Sequence, residues 1–226
     1  MEHKPFLPEL TENQIIIRDT IKDFAEKNIR SVIMEYDESQ KFPMEIMKQL
    51  GDLGFLGILV PEEFGGAGLG YVEYALIIEE LSKVDPSIGL SVAAHNGLCT
   101  NHINLFGNPE QKKKYLPDLA SGKKIGAWGL TESFSGSDAA GLKSNAVKEG
   151  NYWILNGSKQ FTTHGTVGET YVVMAITNKG NNKKGISAFI LEKGMEGLII
   201  GKKENKLGTV SYTHLRAHET DSYLVC

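Results

Sequence analysis

Cysteine is scarce: Cys99 and Cys226 are the two among 226 residues. Two cysteines so placed make no disulfide framework and no Cys-x-x-Cys zinc site. Cys99, inside an apolar run, reads as a small buried hydrophobe. Long hydrophobic runs are lacking too, and none approaches the ~20 residues that a membrane-spanning helix needs. The N-terminus, Met1-Glu2-His3-Lys4-Pro5, has neither the apolar core of a secretory signal nor the Arg/Ser-rich character of a transit peptide. An excess of positive charge is also missing. The formal net charge of -4 excludes a nucleic-acid binder that works by broad phosphate neutralisation. Lys112-Lys113-Lys114, Lys183-Lys184 and Lys202-Lys203 are short runs that read as solvated faces, with a role against phosphates left open. These absences point to a soluble protein of a reducing compartment, most simply a bacterial cytoplasm. A mitochondrial matrix location would need a presequence that this N-terminus does not show.

What is present suffices for a sizeable core, since 41% of the residues are hydrophobic. The first half reads as helices. Thr11-Glu12-Asn13-Gln14 is a capping box, and Ile17, Ile21, Phe24, Ala25, Val32 and Ile33 follow at helical spacing. Pro43 opens a second helix with Ile46, Met47, Leu50 and Leu53 as its apolar face. The glycine-rich run from Val60 to Gly70 is a loop. Tyr71 to Lys83 is helical again. Asp85-Pro86 starts a helix expected to run from Ile88 to Phe106, apolar almost all round and central to a bundle. His95 and His102 lie on it, and core or rim positions suit them better than metal binding, because no third ligand is near. Asn108-Pro109-Glu110 caps a further helix to about Ala120.

The texture changes after Gly122. Residues 127–130, 143–148, 152–155, 159–162, 171–177, 186–192 and 198–202 read as short strands. Glu149-Gly150-Asn151 and Asn156-Gly157 are turn signals between them. Helices followed by strands predict an α+β protein: an N-terminal α-helical bundle domain over residues 1–122, then a β-sheet or β-barrel-like domain over residues 123–208.

Two stretches carry chemistry. Gly129-Leu130-Thr131-Glu132-Ser133-Phe134-Ser135-Gly136-Ser137-Asp138 follows the apolar lead-in Ile125-Gly126-Ala127-Trp128. A strand that opens into such a loop offers bare backbone N–H groups beside hydroxyls, which suits a phosphate or pyrophosphate. Downstream, Lys159-Gln160-Phe161-Thr162-Thr163-His164-Gly165 sets an aromatic beside paired hydroxyls, as a flat polar ring would want. Composition alone allows a surface turn and a strand-core aromatic instead. The order of residues is more specific. Gly-Leu-Thr-Glu, two variable residues and Ser-Gly-Ser-Asp, with the second stretch downstream, resembles the signature of the acyl-CoA dehydrogenases from about Leu10 to Gly208.

The resemblance implies an FAD-dependent enzyme that removes hydrogen from the α and β carbons of a short- or medium-chain acyl-CoA. Electron-transfer flavoprotein is the implied acceptor, fatty-acid β-oxidation the implied setting and a homotetramer the implied assembly. It implies that Trp128, Gly129, Leu130 and Thr131 meet the polar edge of the flavin. Gly136 and Ser137 approach the pyrophosphate, and Ser137 also the thioester end of the substrate. Phe161 packs on the ring system, Thr163 bonds its N5 and Thr162 completes that segment. His95 and Leu98 are weaker candidates for lining the acyl pocket. Ser133, Thr162 and His164 depart from the family's usual proline, isoleucine and asparagine. The implied base is a glutamate in a C-terminal helical domain, and Glu132 takes a structural role instead. The 226 residues are therefore expected to be a truncated fragment that holds FAD weakly or not at all and does not turn over. An acyl-CoA oxidase or nitroalkane-oxidase-like flavoenzyme and a non-catalytic acyl-CoA or partner-binding module stand as alternatives. From Thr209 to Cys226 the family pattern stops, and the stretch reads as a non-native joint or a disordered tail.

Overall fold

The computed structural model describes residues 9–177, 185–203, 212–221 and 223–225. Lys183-Lys184, Cys226 and the N-terminal five residues lie outside them.

The helical part begins where Thr11 caps helix α1 (Glu12–Phe24). Its hydroxyl accepts from the Gln14 N–H, and the Gln14 side chain accepts from the Thr11 N–H. Gln14 then donates to Glu73, 2.8 Å away, and so ties α1 to helix α4 (Tyr71–Val84). After α2 (Ile33–Ser39), helix α3 (Met44–Asp52) buries Ile46, Met47 and Leu50. Leu53, expected on that face, lies beyond the last turn and is exposed, because the helix stops one residue earlier. These side chains join Ile21, Phe24, Ile77, Leu81, Ile88 and Val92 in one core.

The long apolar run is not one uniform helix. Helix α5 (Pro86–Ala93), capped by Asp85, passes into a π-helical segment, Ala94–Thr100, and then into α6 (Asn101–Phe106). Side chains that compete for backbone groups account for the widening. Tyr74 donates its hydroxyl to Ala93 O, while Asn96 donates to Val92 O and Phe55 O and accepts from the Ile58 N–H. Helix α7 (Pro109–Ala120) completes this part.

The sheet starts at β1 (Gly126–Gly129), parallel to β4 (Thr170–Ile176). β2 (Asn145–Glu149) and β3 (Tyr152–Thr163) form a hairpin around Gly150, which sits at φ +60°. β5 (Ile186–Glu192) pairs with β4, and β6 (Leu198–Lys203) lies at the far edge. Cys99, Ile103, Tyr115, Leu116 and Leu119 pack against Val172, Ala188 and Ile190, so α7 and the π segment cover one sheet face. Lys114 and Tyr115 of α7 both donate to Glu192 of β5, at 2.7 and 2.8 Å. The architecture is the α+β arrangement of helices followed by strands.

Two expectations need correction. Asn156-Gly157 does not turn: β3 runs through it as one strand of 12 residues. The glycine is there for close approach, since a Cβ would stand 2.5 Å from Ser144 Cβ and 2.8 Å from Ser144 Cα. The expected disordered tail also contains strands. β7 (Tyr212–Asp221) pairs antiparallel with both β3 and β6, and β8 (Tyr223–Val225) pairs with β5. A ladder bonds backbone to backbone, so an extended segment can fill an unpaired strand edge whatever its side chains.

Gly157→Ala forces its methyl into the Ser144 backbone and is expected to cost about 1–3 kcal/mol. A fall in the urea midpoint at unchanged m-value measures it.

Candidate functional site

The two marked stretches meet. Past β1 the chain leaves the sheet, and Thr131 O accepts the Gln160 N–H at 2.7 Å. Gln160 is free to reach across because β3 is irregular there. In the β3–β7 ladder Lys159 faces Leu215 and Thr162 faces Thr213, so three steps on one strand match two on the other. Such a bulge re-aims side chains. Phe161 sits in it at φ +53°, a conformation that bulky residues rarely adopt, and the residue is 45% exposed. The next two side chains, Thr162 and Thr163, point into the protein and are buried.

A buried ion pair locks the junction. Lys159 Nζ donates to Glu132 Oε1 at 2.6 Å and to Leu130 O at 3.2 Å, with side chains 3% and 2% exposed. Gly129 makes room for the lysine stem, since a Cβ there would lie 3.1 Å from Lys159 Cγ. Glu132 also accepts from Ser144 Oγ at 2.5 Å, Ser144 N–H at 3.0 Å and Lys143 N–H at 2.6 Å. Burial pushes its carboxyl up, but Lys159, Ser144 and the two amides together hold it below the ordinary carboxylate range. Burial draws the Lys159 ammonium down, opposed by Glu132. With its oxygens so occupied, Glu132 is a structural anchor.

Several donors around this junction lack partners. Trp128 Nε1 and Thr162 Oγ1 are buried with none among the described residues. Thr131 is half-buried, and its N–H and hydroxyl meet no described acceptor. A buried polar group left bare costs about 1–3 kcal/mol, so Trp128 Nε1 and Thr162 Oγ1 point to a partner that binds there. Beside the ion pair opens a cleft of about 460 Å³, lined by Phe134, Lys143, Asn145, Asn156 and Ser158 among others. Gly136 and Ser137 lie exposed on the loop that follows, which Ser135 closes by donating to Asp138 O at 2.6 Å.

The weaker candidates separate. Leu98 is 40% exposed. His95 is fully buried, and both its nitrogens are engaged: Nε2 donates to Leu119 O and Nδ1 accepts from the Gly126 N–H, each at 3.0 Å. The main chain therefore leaves His95 no nitrogen for a ligand, and its full burial agrees with the core position that its apolar setting suggested. On the next peptide, His164 Nδ1 donates to Gly126 O at 2.9 Å. Two buried histidines thus hold Gly126, the residue that starts β1. Sequence reasoning missed this, because residues 31 and 38 positions away give no local signal. The departure at His164 and the apolar setting of His95 were the available hints.

Residues 11–123 match the family model "Acyl-CoA dehydrogenase, N-terminal domain" and residues 127–220 match "Acyl-CoA dehydrogenase, middle domain". The chain belongs to the acyl-CoA dehydrogenase family. The short-chain-specific acyl-CoA dehydrogenase of Clostridium acetobutylicum is 46% identical over 199 residues, 88% of this chain and 52% of that protein. A chain in the structure named for the electron transferring flavoprotein of Acidaminococcus fermentans superposes with a TM-score of 0.92 at 44% identity, over 96% of this chain and 58% of that one. An acyl-CoA dehydrogenase from Bacillus anthracis, solved complexed with FAD, gives 0.87 at 37% identity, over 97% of this chain and 37% of that one. The chain thus spans about half the length of the Clostridium relative.

The junction fits a flavin. An exposed ring on a bulge stands beside bare donors, which is what a flat ring with a polar edge requires. Among the described residues no cluster of metal ligands stands in its place, and no helix is long and apolar enough to cross a membrane.

Burial lowers His95 and His164 to about 4, well under the usual histidine value. The unfolded chain then binds more protons than the folded one between about pH 6.5 and 4, so stability falls as pH drops through that window. Each histidine is expected to cost about 2 kcal/mol between pH 7 and pH 5. Chemical denaturation at the two pH values measures the loss, and His164→Gln should reduce it.

Proposed function

We propose that this chain carries the flavin-facing half of an FAD-dependent acyl-CoA dehydrogenase that acts on short-chain acyl-CoA thioesters. The observation that carries the reading is Phe161, turned outward on the β3 bulge and joined through Gln160 to a Thr131 whose donors have no partner among the described residues. FAD, when bound, would take the hydride from the β carbon of the thioester. The chain's own residues bind and orient. Thr131 N–H and Oγ–H would hold the polar edge of the ring, with Trp128 to Leu130 as the backbone behind them. Phe161 offers a stacking face, and Thr163, with Thr162 beside it, supplies the hydroxyl on that side. Gly136 and Ser137 lie where the loop can approach a pyrophosphate without side-chain obstruction.

The Glu132 carboxylate is not free to take the α proton, since it is spent on its four donors. The resemblance implies a base in a C-terminal helical domain, and the same reading extends to a homotetramer that passes electrons to an electron-transfer flavoprotein in a bacterial cytoplasm. The similarity to a chain in the Acidaminococcus structure supports that acceptor, and the Clostridium relative supports the short-chain substrate. We also propose that residues 209–226 are a non-native joint: the middle-domain match runs to residue 220, but backbone pairing does not depend on which side chains the segment carries. A continuous genomic match through codon 226 would remove it.

A polypeptide of these 226 residues is expected to bind FAD weakly and to leave butyryl-CoA unoxidised with an artificial acceptor. In a ¹⁵N-labelled sample, added FAD should move the amides of residues 128–131 and 161–163. Shifts confined to other residues would overturn the assignment, and stoichiometric tight flavin with turnover would overturn the expected inactivity.

A further inference from the structure

We infer that Lys159 is a positioning residue: its ammonium, gripping Leu130 O, aims and strengthens the Thr131 N–H as a donor to the ligand. The inference rests on the flavin reading above for the identity of that ligand, but its geometry stands by itself. Lys159 Nζ reaches Leu130 O at 3.2 Å from within the core. The peptide between Leu130 and Thr131 is trans, as are all described peptides. In a trans peptide the N–H points opposite to the C=O. Lys159 on one side of the peptide therefore turns the Thr131 N–H to the other, away from the ion pair and toward the side where it meets no described acceptor.

The same contact polarises the peptide. A charged donor on a carbonyl draws electron density from the amide nitrogen, and hydrogen bonds in series reinforce one another most where the surroundings are dry. Thr131 O is held independently by the Gln160 N–H at 2.7 Å, so the residue is fixed on both flanks. Glu132 neutralises the ammonium without displacing it, because it is itself pinned by Ser144 and the Lys143 amide. A purely structural salt bridge would need only Glu132. The bond to the Leu130 carbonyl is the part that touches the proposed site.

The test uses the whole 226-residue chain, uniformly labelled, with ¹³C-detected spectra. Raising pH from neutral until Lys159 loses its proton should move Leu130 ¹³C′ and Thr131 ¹⁵N with the same midpoint as Lys159 ¹³Cε. The double variant Lys159→Met/Glu132→Gln removes both charges, so no buried charge is left unpaired. In it, both resonances should sit away from their wild-type positions and should not titrate. Its FAD affinity should fall about tenfold, the size of one hydrogen bond. If Leu130 ¹³C′ and Thr131 ¹⁵N ignore the Lys159 titration, or keep their wild-type shifts in a double variant whose circular dichroism matches wild type, the positioning role is wrong. If they follow Lys159 but FAD moves no resonance in residues 128–131 or 161–163 of the wild-type chain, the positioning role holds and the flavin reading fails.

Discussion

The buried ion pair of Lys159 and Glu132 is the interaction on which the site depends. Taking two charges out of water is costly and is tolerated only where every remaining donor and acceptor finds a partner. Here Ser144 and the Lys143 amide complete the carboxylate, and Leu130 O takes a second proton of the ammonium. The consequence is geometric. Three chain segments, far apart in sequence, are forced to one point: the loop after β1, the start of β2 and the middle of β3. Gly129 and Gly157 are small for the same reason, since side chains there would strike Lys159 and Ser144.

Around this point the sheet gives up regularity to present groups outward. The bulge in β3 releases the Gln160 N–H from its ladder to bond Thr131 O and turns Phe161 into solvent. A regular strand would alternate Phe161 and Thr162 between faces and hold both in the ladder. Below, His95 and His164 grip the two successive peptides that flank Gly126, one by its N–H and the other by its C=O. They fix the start of β1, and hence the register in which Trp128 to Thr131 emerge. The helical part contributes to the site through this grip and through α7, whose Lys114 and Tyr115 share Glu192.

Much of the fold was legible in local signals. The caps at Thr11, Asp85 and Asn108 and the turn at Gly150 all act within four residues, and each appears in the structure. The α+β class followed from the change in texture after Gly122. What misled was also local. Asn156-Gly157 looks like a hairpin turn, but its glycine answers a neighbour 13 positions away in the chain. The apolar run from Ile88 to Phe106 gave no sign of its π-helical middle, which Tyr74 and Asn96 impose through long-range bonds. His95 reads as a core residue, but its partners, Leu119 and Gly126, are too distant in sequence to be read from it.

By itself the sequence determined the family and marked the two segments that resemble its signature, because ordered motifs of small, hydroxyl and aromatic residues are written along the chain. It also determined where most helices begin, because capping is a contact between near neighbours. Only the tertiary structure decided that those segments touch, that Glu132 is an anchor and that Lys159 reaches the Leu130 carbonyl. Burial and pairing between remote residues set those properties, and neither is a function of any window of the chain.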